Sequence, residues 1–303
     1  MPKIFPFKAV RPSPGMELLV SASTHDTTIK GQLTSLEENP FTYLHVIKPH
    51  LHFNEEKNPD KHFPMAKSYL KQLISQKVLN QDEKPAFYIY RQTKSDQTSF
   101  TGIIATVSAN DYFEGHIKVH ENTLTEKEAQ LVEHIRITGV MGEPVLLTYR
   151  RQQSVDLLIN EYTKDQAPID FTDENLTSHE IWIIEDEAGI ESLSLQFGAI
   201  DNFYIADGHH RSAAAAKYIR QYRDNEGGYL SCLIPDNQLR IASFHRIITK
   251  MDNFDKIVFL EKLKVEFEVE LSNEPVTPVS KYQFGLCLKG KWYILRFKYP
   301  EDL

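Results

Sequence analysis

The fold of this chain turns on the stretch Tyr204-Ile205-Ala206-Asp207-Gly208-His209-His210-Arg211-Ser212, which four alanines follow at 213–216. The apolar start predicts a strand, the glycine predicts a turn, and the alanines are the strongest helix formers. The first backbone N–H groups of a helix have no partner within the helix, so a strand–turn–helix junction is a ready site for an anion. The stretch therefore predicts a structural corner and a binding site at the same place.

The side chains at this junction suit chemistry on a phosphate or a carboxylate. Arg211 could hold the anion through a charge-assisted contact, and His209 or His210 could donate to it or move a proton. Asp207 could act as a general base or hold Mg²⁺. The structural alternative is that Asp207 only caps the helix while the histidines lie on its solvated first turn. The cationic side chains disfavour that alternative, because the first turn of a helix favours acidic groups.

A second polar group lies at residues 116–123, HIKVHENT. Its alternation predicts a strand with His116, Lys118 and His120 on one face. A helix would instead make His116 and His120 an i,i+4 pair suited to a metal, but helix-forming surroundings and a zinc-protease motif are missing, so we predict no metal site. The basic face, with Glu121 beside it, either lines the same cleft as the junction or is a solvated strand edge. The residues alone leave both interpretations open.

Composition limits the class of protein. The chain has 303 residues, of which 41% are hydrophobic and 25% are charged, as in an ordinary soluble globular protein. A net charge of −8 argues against a general nucleic-acid binder, which would carry a basic stripe. No apolar run approaches the roughly 20 residues that span a bilayer, and the N-terminus lacks a signal-peptide pattern. We therefore expect a cytoplasmic protein with a small-molecule substrate, no nucleic acid and no membrane partner; the oligomeric state stays open.

The order of predicted elements favours an α+β fold, with mixed sheets and flanking helices, over a doubly wound parallel sheet. We predict strands at 86–90, 102–107, 144–149, 180–184 and 229–234, helices at 65–78, 125–137, 208–223 and 254–263, and a hairpin at 282–297. The helix at 125–137 starts with a capping-box pattern at Thr125. A weakly marked boundary divides the chain into 1–165 and 166–303, unless it is one domain.

Several segments of the chain, including both polar groups, resemble the bacterial family of unknown function called DUF1015. The matching segments are 7–12, 39–40, 44–49, 88–92, 115–123, 142–145 and 205–211, of which the last is the most specific. The chain departs from the family's usual Pro-Pro-Tyr-Asp-Val-like segment at residues 21–26, and family members usually continue beyond the position of Leu303.

The junction is also similar to the phosphate-binding turn of the ParB/sulfiredoxin-like superfamily, over about a tenth of the chain. That superfamily includes a free-serine kinase, sulfiredoxin and the partition protein ParB with its nucleotide-dependent switch. The similarity implies a ParB/sulfiredoxin-like strand–turn–helix in the second half of the chain, with an anion or nucleotide site at the start of its helix. It carries the reaction type only as an analogy.

The most concrete functional expectation is an ATP- or ADP-dependent kinase of a small hydroxy amino acid such as serine, with Mg²⁺ accompanying the nucleotide. The expected catalytic residues are Asp207, His210, Glu121 and His120. The residues expected to hold the nucleotide or phosphate are Gly208, His209, Arg211, Ser212 and Lys118. Two alternatives are a non-catalytic protein that binds a nucleotide or phosphorylated metabolite, and a ParB-like partner-binding protein, which the acidic balance disfavours.

Overall fold

The computed structural model describes residues 1–21, 36–52, 59–223, 227–240, 245–249 and 254–302. The chain forms two compact units, Met1–Leu239 and Arg240–Leu303. Residues 22–26, which make up most of the segment that departs from the usual DUF1015 pattern, lie outside the described ranges.

Strands alternate irregularly with helices in the first unit. Its strands are β1 (Ile4–Phe5), β2 (Val10–Pro12), β3 (Leu79–Gln81), β4 (Phe87–Thr93), β5 (Ser99–Ser108), β6 (Ile117–Lys118), β7 (Val145–Tyr149), β8 (Ile169–Thr172), β9 (Ser178–Ile184), β10 (Phe203–Asp207) and β11 (Gly228–Pro235). Its helices are α1 (Glu17–Val20), α2 (Leu44–Ile47), α3 (Pro59–Ser75), α4 (Ala109–Phe113), α5 (Thr125–Thr138), α6 (Gln153–Tyr162), α7 (Glu187–Gly198) and α8 (His209–Tyr222).

Nine of the described strands form one mixed sheet. Eight follow the order β6-β10-β7-β11-β5-β4-β9-β8, and β1 pairs with β5 beside this path. Strand β10 runs parallel to β6 and antiparallel to β7, whereas β11 runs parallel to β7 and antiparallel to β5. The mixed sheet with flanking helices confirms the predicted α+β class.

The sheet draws its strands from both halves of the sequence. Strands β8 to β11 follow residue 165, yet β9 pairs with β4 and β11 pairs with β5. Hydrogen bonds between these strands join residues 1–165 to residues 166–239 within the first unit. The two compact units meet in the sequence between Leu239 and Arg240.

The larger of the two core clusters described in the first unit lies on the faces of this sheet. On β7, Val145, Leu147 and Tyr149 are buried at alternate positions, as expected for a strand with one face on the core. On α8, all four alanines at 213–216 are buried. Four consecutive residues cover more than one full helical turn, so this part of α8 is enclosed on every side, and small side chains let its neighbours approach closely. Enclosure of α8 fixes the junction at its start.

The second unit contains α9 (Lys256–Glu266) and the strands β12 (Phe267–Ser272), β13 (Gln283–Leu288) and β14 (Lys291–Phe297). The strands form an antiparallel sheet in the order β12-β14-β13. The predicted hairpin is confirmed, and its turn residues Lys289 and Gly290 have φ angles of 49° and 75°. Two positive φ angles are the signature of a type I′ turn, whose twist matches that of the flanking strands.

Two local predictions were wrong. The strand predicted over 116–120 is limited to Ile117–Lys118, since only these residues pair with β10. Helix α5 begins as predicted, but Leu124 occupies the N-cap position and no side chain caps it. Among the described residues, no helix is long and apolar enough to cross a membrane.

Candidate functional site

Strand directions bring three chain segments to one edge of the sheet. Because β6 and β10 are parallel, the residues that follow Lys118 and those that follow Asp207 leave the sheet at the same edge. Because β7 is antiparallel to β10, the residues that precede Val145 arrive there too. The two polar groups noted in the sequence therefore meet in space, although nearly ninety residues separate them.

Gly208 shapes the corner between β10 and α8. It is the N-cap of α8, and its φ of 96° lies in the left-handed region that favours glycine. A Cβ atom added there would lie 3.1 Å from the guanidinium of Arg211. The first helical hydrogen bond runs from the Ser212 N–H to the Gly208 carbonyl at 2.8 Å. The N–H groups of residues 209–211 thus lie at the start of the helix, where an anion can accept hydrogen bonds from them.

Asp207 does not cap the helix. No side chain makes a capping hydrogen bond at Gly208, and the Asp207 carboxylate instead accepts from Nη2 of Arg211 at 2.5 Å. The side chain of Asp207 is 71% exposed. The capping role that the sequence allowed for Asp207 is therefore not observed; its carboxylate forms an ion pair with Arg211.

Arg211 holds the edge of the sheet together. Its Nη1 donates to the Pro144 carbonyl at 2.6 Å and lies 3.7 Å from Glu143. With Asp207, two carboxylates surround this guanidinium. An incoming anion must compete with them for the charge of Arg211.

The two histidines at the start of α8 contact the segment that follows β6. The ring of His209 lies edge-on to the ring of His120, with centroids 4.3 Å apart, and its Nδ1 is 3.6 Å from Glu121. His210 accepts a hydrogen bond from the Leu124 N–H through Nε2 at 3.1 Å. Both histidines are thereby tied to residues 120–124.

Burial makes His209 different from its exposed neighbours. Its side chain is only 4% exposed, whereas that of Glu121 is 63% exposed. Burial lowers the pKa of His209, and the nearby His120 lowers it further, while Glu121 opposes the shift. The neutral imidazole is therefore favoured, and neutral imidazole can accept a proton or bind a metal.

Two residues of the expected set lie apart from this group. Ser212 is fully buried, and its hydroxyl donates to the Tyr229 hydroxyl at 2.8 Å, so it faces the interior. Lys118 is exposed on β6 opposite the backbone of Tyr204. The structure brings together the other seven, namely His120, Glu121, Asp207, Gly208, His209, His210 and Arg211.

A cavity of about 380 Å³ adjoins the junction, within the size range of small-molecule sites. Arg211 forms part of its wall, with Lys127, His134 and Glu143 as further polar groups. Apolar residues make up much of the remaining wall, including Leu131, Ile135, Met141, Val145, Ala215 and Leu230.

Sequence reasoning missed this cavity. Lys127 and His134 lie seven residues apart on α5, the spacing that places two side chains on one face of a helix, but an amphipathic helix shows the same spacing without a site. His134 is buried and donates from Nε2 to the Val46 carbonyl at 2.9 Å, and burial lowers its pKa. Nothing local in the sequence distinguishes these residues from ordinary helix positions.

The comparisons with known proteins give a family. A family model described as "Protein of unknown function (DUF1015)" matches residues 4–302. The chain belongs to this family. No curated protein and no solved structure matches the chain. In this DUF1015 protein, the function must therefore be argued from the junction and the cavity.

Proposed function

We propose that this protein is an enzyme that transfers a phosphoryl group from ATP or ADP to the hydroxyl of a small hydroxy amino acid such as serine. The observation that carries the proposal is that Arg211 belongs both to the first turn of α8 and to the wall of the 380 Å³ cavity. Backbone N–H groups at that first turn can hold a phosphate. A ligand in that cavity would thus contact Arg211, and we propose that its anionic group extends to the helix end.

The ion pairs at the junction suggest how a phosphate would bind. A phosphate oxygen competes with Asp207 for the guanidinium of Arg211, because Arg binds both groups with paired N–H donors. Once Arg211 moves to the phosphate, the carboxylate of Asp207 is released. Lys127 on the cavity wall supplies a second positive charge.

The released carboxylate then takes part in transfer. The substrate hydroxyl oxygen attacks the terminal phosphorus, the bond from that phosphorus to the bridging oxygen breaks, and Asp207 accepts the hydroxyl proton. Mg²⁺ bound with the nucleotide would neutralise charge on the phosphates. Because such reactions depend mainly on positioning and electrostatics, a base, a guanidinium and helical N–H groups form an adequate set. With ATP or ADP as the donor, we propose that the protein acts in the cytoplasm.

A phosphate-transfer assay tests this proposal. Wild-type protein is incubated with ATP or ADP and a panel of amino acids, beside Asp207→Asn and Arg211→Ala. Arg136→Ala is the matched control, because Arg136 also pairs with a carboxylate one turn away on an exposed helix face. We expect Asp207→Asn to lower kcat by about 10²- to 10⁴-fold, as for other general bases, and Arg136→Ala to behave as wild type. Absence of transfer in all four proteins would contradict the kinase proposal.

The second candidate is a protein that binds the same ligand without turnover. It is favoured by the two carboxylates that already neutralise Arg211, since exchange of an internal carboxylate for a ligand anion could act as a switch. Tight nucleotide binding without phosphate transfer would select this candidate.

A further inference from the structure

Two imidazoles and one carboxylate converge where the segment after β6 meets the start of α8. His120, Glu121 and His209 each place one potential ligand atom so that all three atoms lie within 4.8 Å of one another. Helix α8 fixes the buried His209, while His120 and Glu121 lie on the exposed side. We call these three residues the open cluster.

The polar contacts inside the open cluster are long. Among the described residues, His209 has two: Nδ1 is 3.6 Å from Glu121, and Nε2 is 3.5 Å from the backbone N of His120. Ordinary hydrogen bonds of these types are about 2.7–3.2 Å long, so neither is a strong bond. The two ring nitrogens of His209 can therefore exchange these long contacts for a closer partner, such as a bound ion.

We propose that His120, Glu121 and His209 bind a divalent transition metal ion. Two ligands about 2.0–2.1 Å from a tetrahedral metal are about 3.3 Å apart, so the 3.6 Å between Glu121 and His209 needs little change. Coordination through Nδ1 leaves the proton on Nε2, and the long contact from the His120 N–H gives way. The ion gains two imidazoles and one carboxylate as ligands.

The donor set indicates which class of metal binds. Imidazole suits Zn²⁺, Fe²⁺, Co²⁺ or Ni²⁺, whereas Mg²⁺ prefers oxygen ligands and keeps several waters. Two histidines with one carboxylate form three-ligand sites that leave at least one position open for water or another ligand. Exposure of His120 and Glu121 leaves that open position facing solvent. This site is distinct from any Mg²⁺ that accompanies a nucleotide, and it does not depend on phosphate binding.

A metal titration without nucleotide tests the proposal. Chelator-treated protein is titrated with Zn²⁺ by calorimetry and with Co²⁺ by visible absorption, beside His120→Ala and Glu121→Gln. His120 and Glu121 are exposed, so we expect both variants to fold. The test therefore does not depend on His209→Ala, which removes a buried side chain and can prevent folding. The matched control is His116→Ala, which removes a histidine from another histidine–carboxylate group, Asp111, Glu114 and His116.

We expect one Zn²⁺ per chain, Co²⁺ absorption bands typical of nitrogen and oxygen ligation, and affinity lowered by at least about tenfold in both surface variants, with His116→Ala unchanged. Absence of stoichiometric binding to the wild type would overturn the proposal. Wild-type affinity in both surface variants would also overturn it, because the metal would then lie elsewhere. So would Mg²⁺ binding as tightly as Zn²⁺, since that requires an oxygen-only site. None of these results depends on nucleotide binding or phosphate transfer.

Discussion

Two groups of histidine and carboxylate lie at opposite ends of the short strand β6, and they differ in how tightly their members are bonded. In the first, which we call the closed cluster, Asp111 accepts from the Lys3 N–H at 2.8 Å and contacts His116 at 2.9 Å. In the open cluster, the contacts of His209 are 3.5 and 3.6 Å long. In the closed cluster, the contacts from His116 to Glu114 and to the amino group of Met1 are longer, at 3.4 Å, so the difference lies in Asp111, whose two contacts are short. Short contacts hold a fold together, whereas the long contacts of His209 leave capacity for a ligand.

The closed cluster anchors the N-terminus. The buried carboxylate of Asp111 contacts the backbone N–H of Lys3, which is far away in the sequence, and the ring of His116, which is five residues away. His116 also contacts the amino group of Met1. In the open cluster, α8 holds His209, while His120 and Glu121 follow the short strand β6. We therefore expect substitutions in the closed cluster to affect stability, and substitutions in the open cluster to affect binding.

The largest expected effect on stability is that of Asp111→Ala. Loss of the buried acceptor leaves the Lys3 N–H unpaired, which we expect to lower the free energy of unfolding by about 2–4 kcal/mol. Urea unfolding measures it, with Asp201→Ala, an exposed aspartate, as the control. Equal unfolding free energies for both variants would remove the distinction between the clusters.

A smaller loss is expected for Gly208→Ala, which strains the junction that carries the open cluster. A positive φ costs a non-glycine residue about 1–2 kcal/mol, and the new Cβ would press on the guanidinium of Arg211. Gly139→Ala is the control, because Gly139 also has a positive φ but nothing within 4 Å of its Cβ position. Urea unfolding should show Gly208→Ala to be the more destabilising. A greater loss in Gly139→Ala would show that the contact with Arg211 has no effect.

The carboxylate of Glu128, beside the open cluster, accepts hydrogen bonds from Thr123 and Lys217, and its charge should make stability depend on pH. Burial alone would raise the pKa of Glu128, but the hydrogen bonds and charge of Lys217 outweigh it, so the pKa lies below the usual 4.5. A carboxylate with a depressed pKa stabilises the fold above its unfolded-state pKa and loses that contribution as the pH falls.

We therefore expect wild type to exceed Glu128→Gln in unfolding free energy by about 1–2 kcal/mol at pH 6.5, with the difference shrinking below about pH 4.5. Unfolding curves of both proteins at several pH values measure the difference. A difference that stays constant down to pH 3 would show that the charge of Glu128 is not responsible.

The smallest expected effect is that of His120→Ala or Glu121→Gln on metal-free protein. Both side chains are exposed: Glu121 lies 3.6 Å from His209, and the ring of His120 meets the ring of His209 edge-on, so we expect changes within about 0.5 kcal/mol. Thermal unfolding in the presence of a chelator measures them. If either variant lost more than about 2 kcal/mol of unfolding free energy, the open cluster would have the same structural role as the closed cluster.

Local pattern was enough to predict the junction. Apolar residues, a glycine and four alanines specify β10, the turn and α8 without help from distant contacts, and the C-terminal hairpin follows from Lys289 and Gly290 in the same way. The meeting of His120 and Glu121 with His209 was one of two open interpretations. Pairing of β6 with β10 decides it, and that pairing depends on a parallel register between only two pairs of residues.

Long-range packing explains what the sequence could not predict. The cavity lies among α5, α8 and the segment before β7, so its polar wall brings together Lys127, Glu143 and Arg211 from three places in the chain. The inward direction of Ser212 depends on a partner hydroxyl on β11. The mixed order of the sheet, which joins both halves of the sequence, likewise appears only when all strands are paired.

The central claim is that the start of α8 holds the phosphate of a nucleotide through Arg211. A calorimetric titration of ATP into wild type, Arg211→Ala and Arg136→Ala tests it most directly. We predict saturable binding to wild type and Arg136→Ala, and binding at least about tenfold weaker in Arg211→Ala, because a hydrogen bond to a charged group contributes about 1.5–3 kcal/mol. No binding to the wild type, or equal affinity in Arg211→Ala, would contradict the claim.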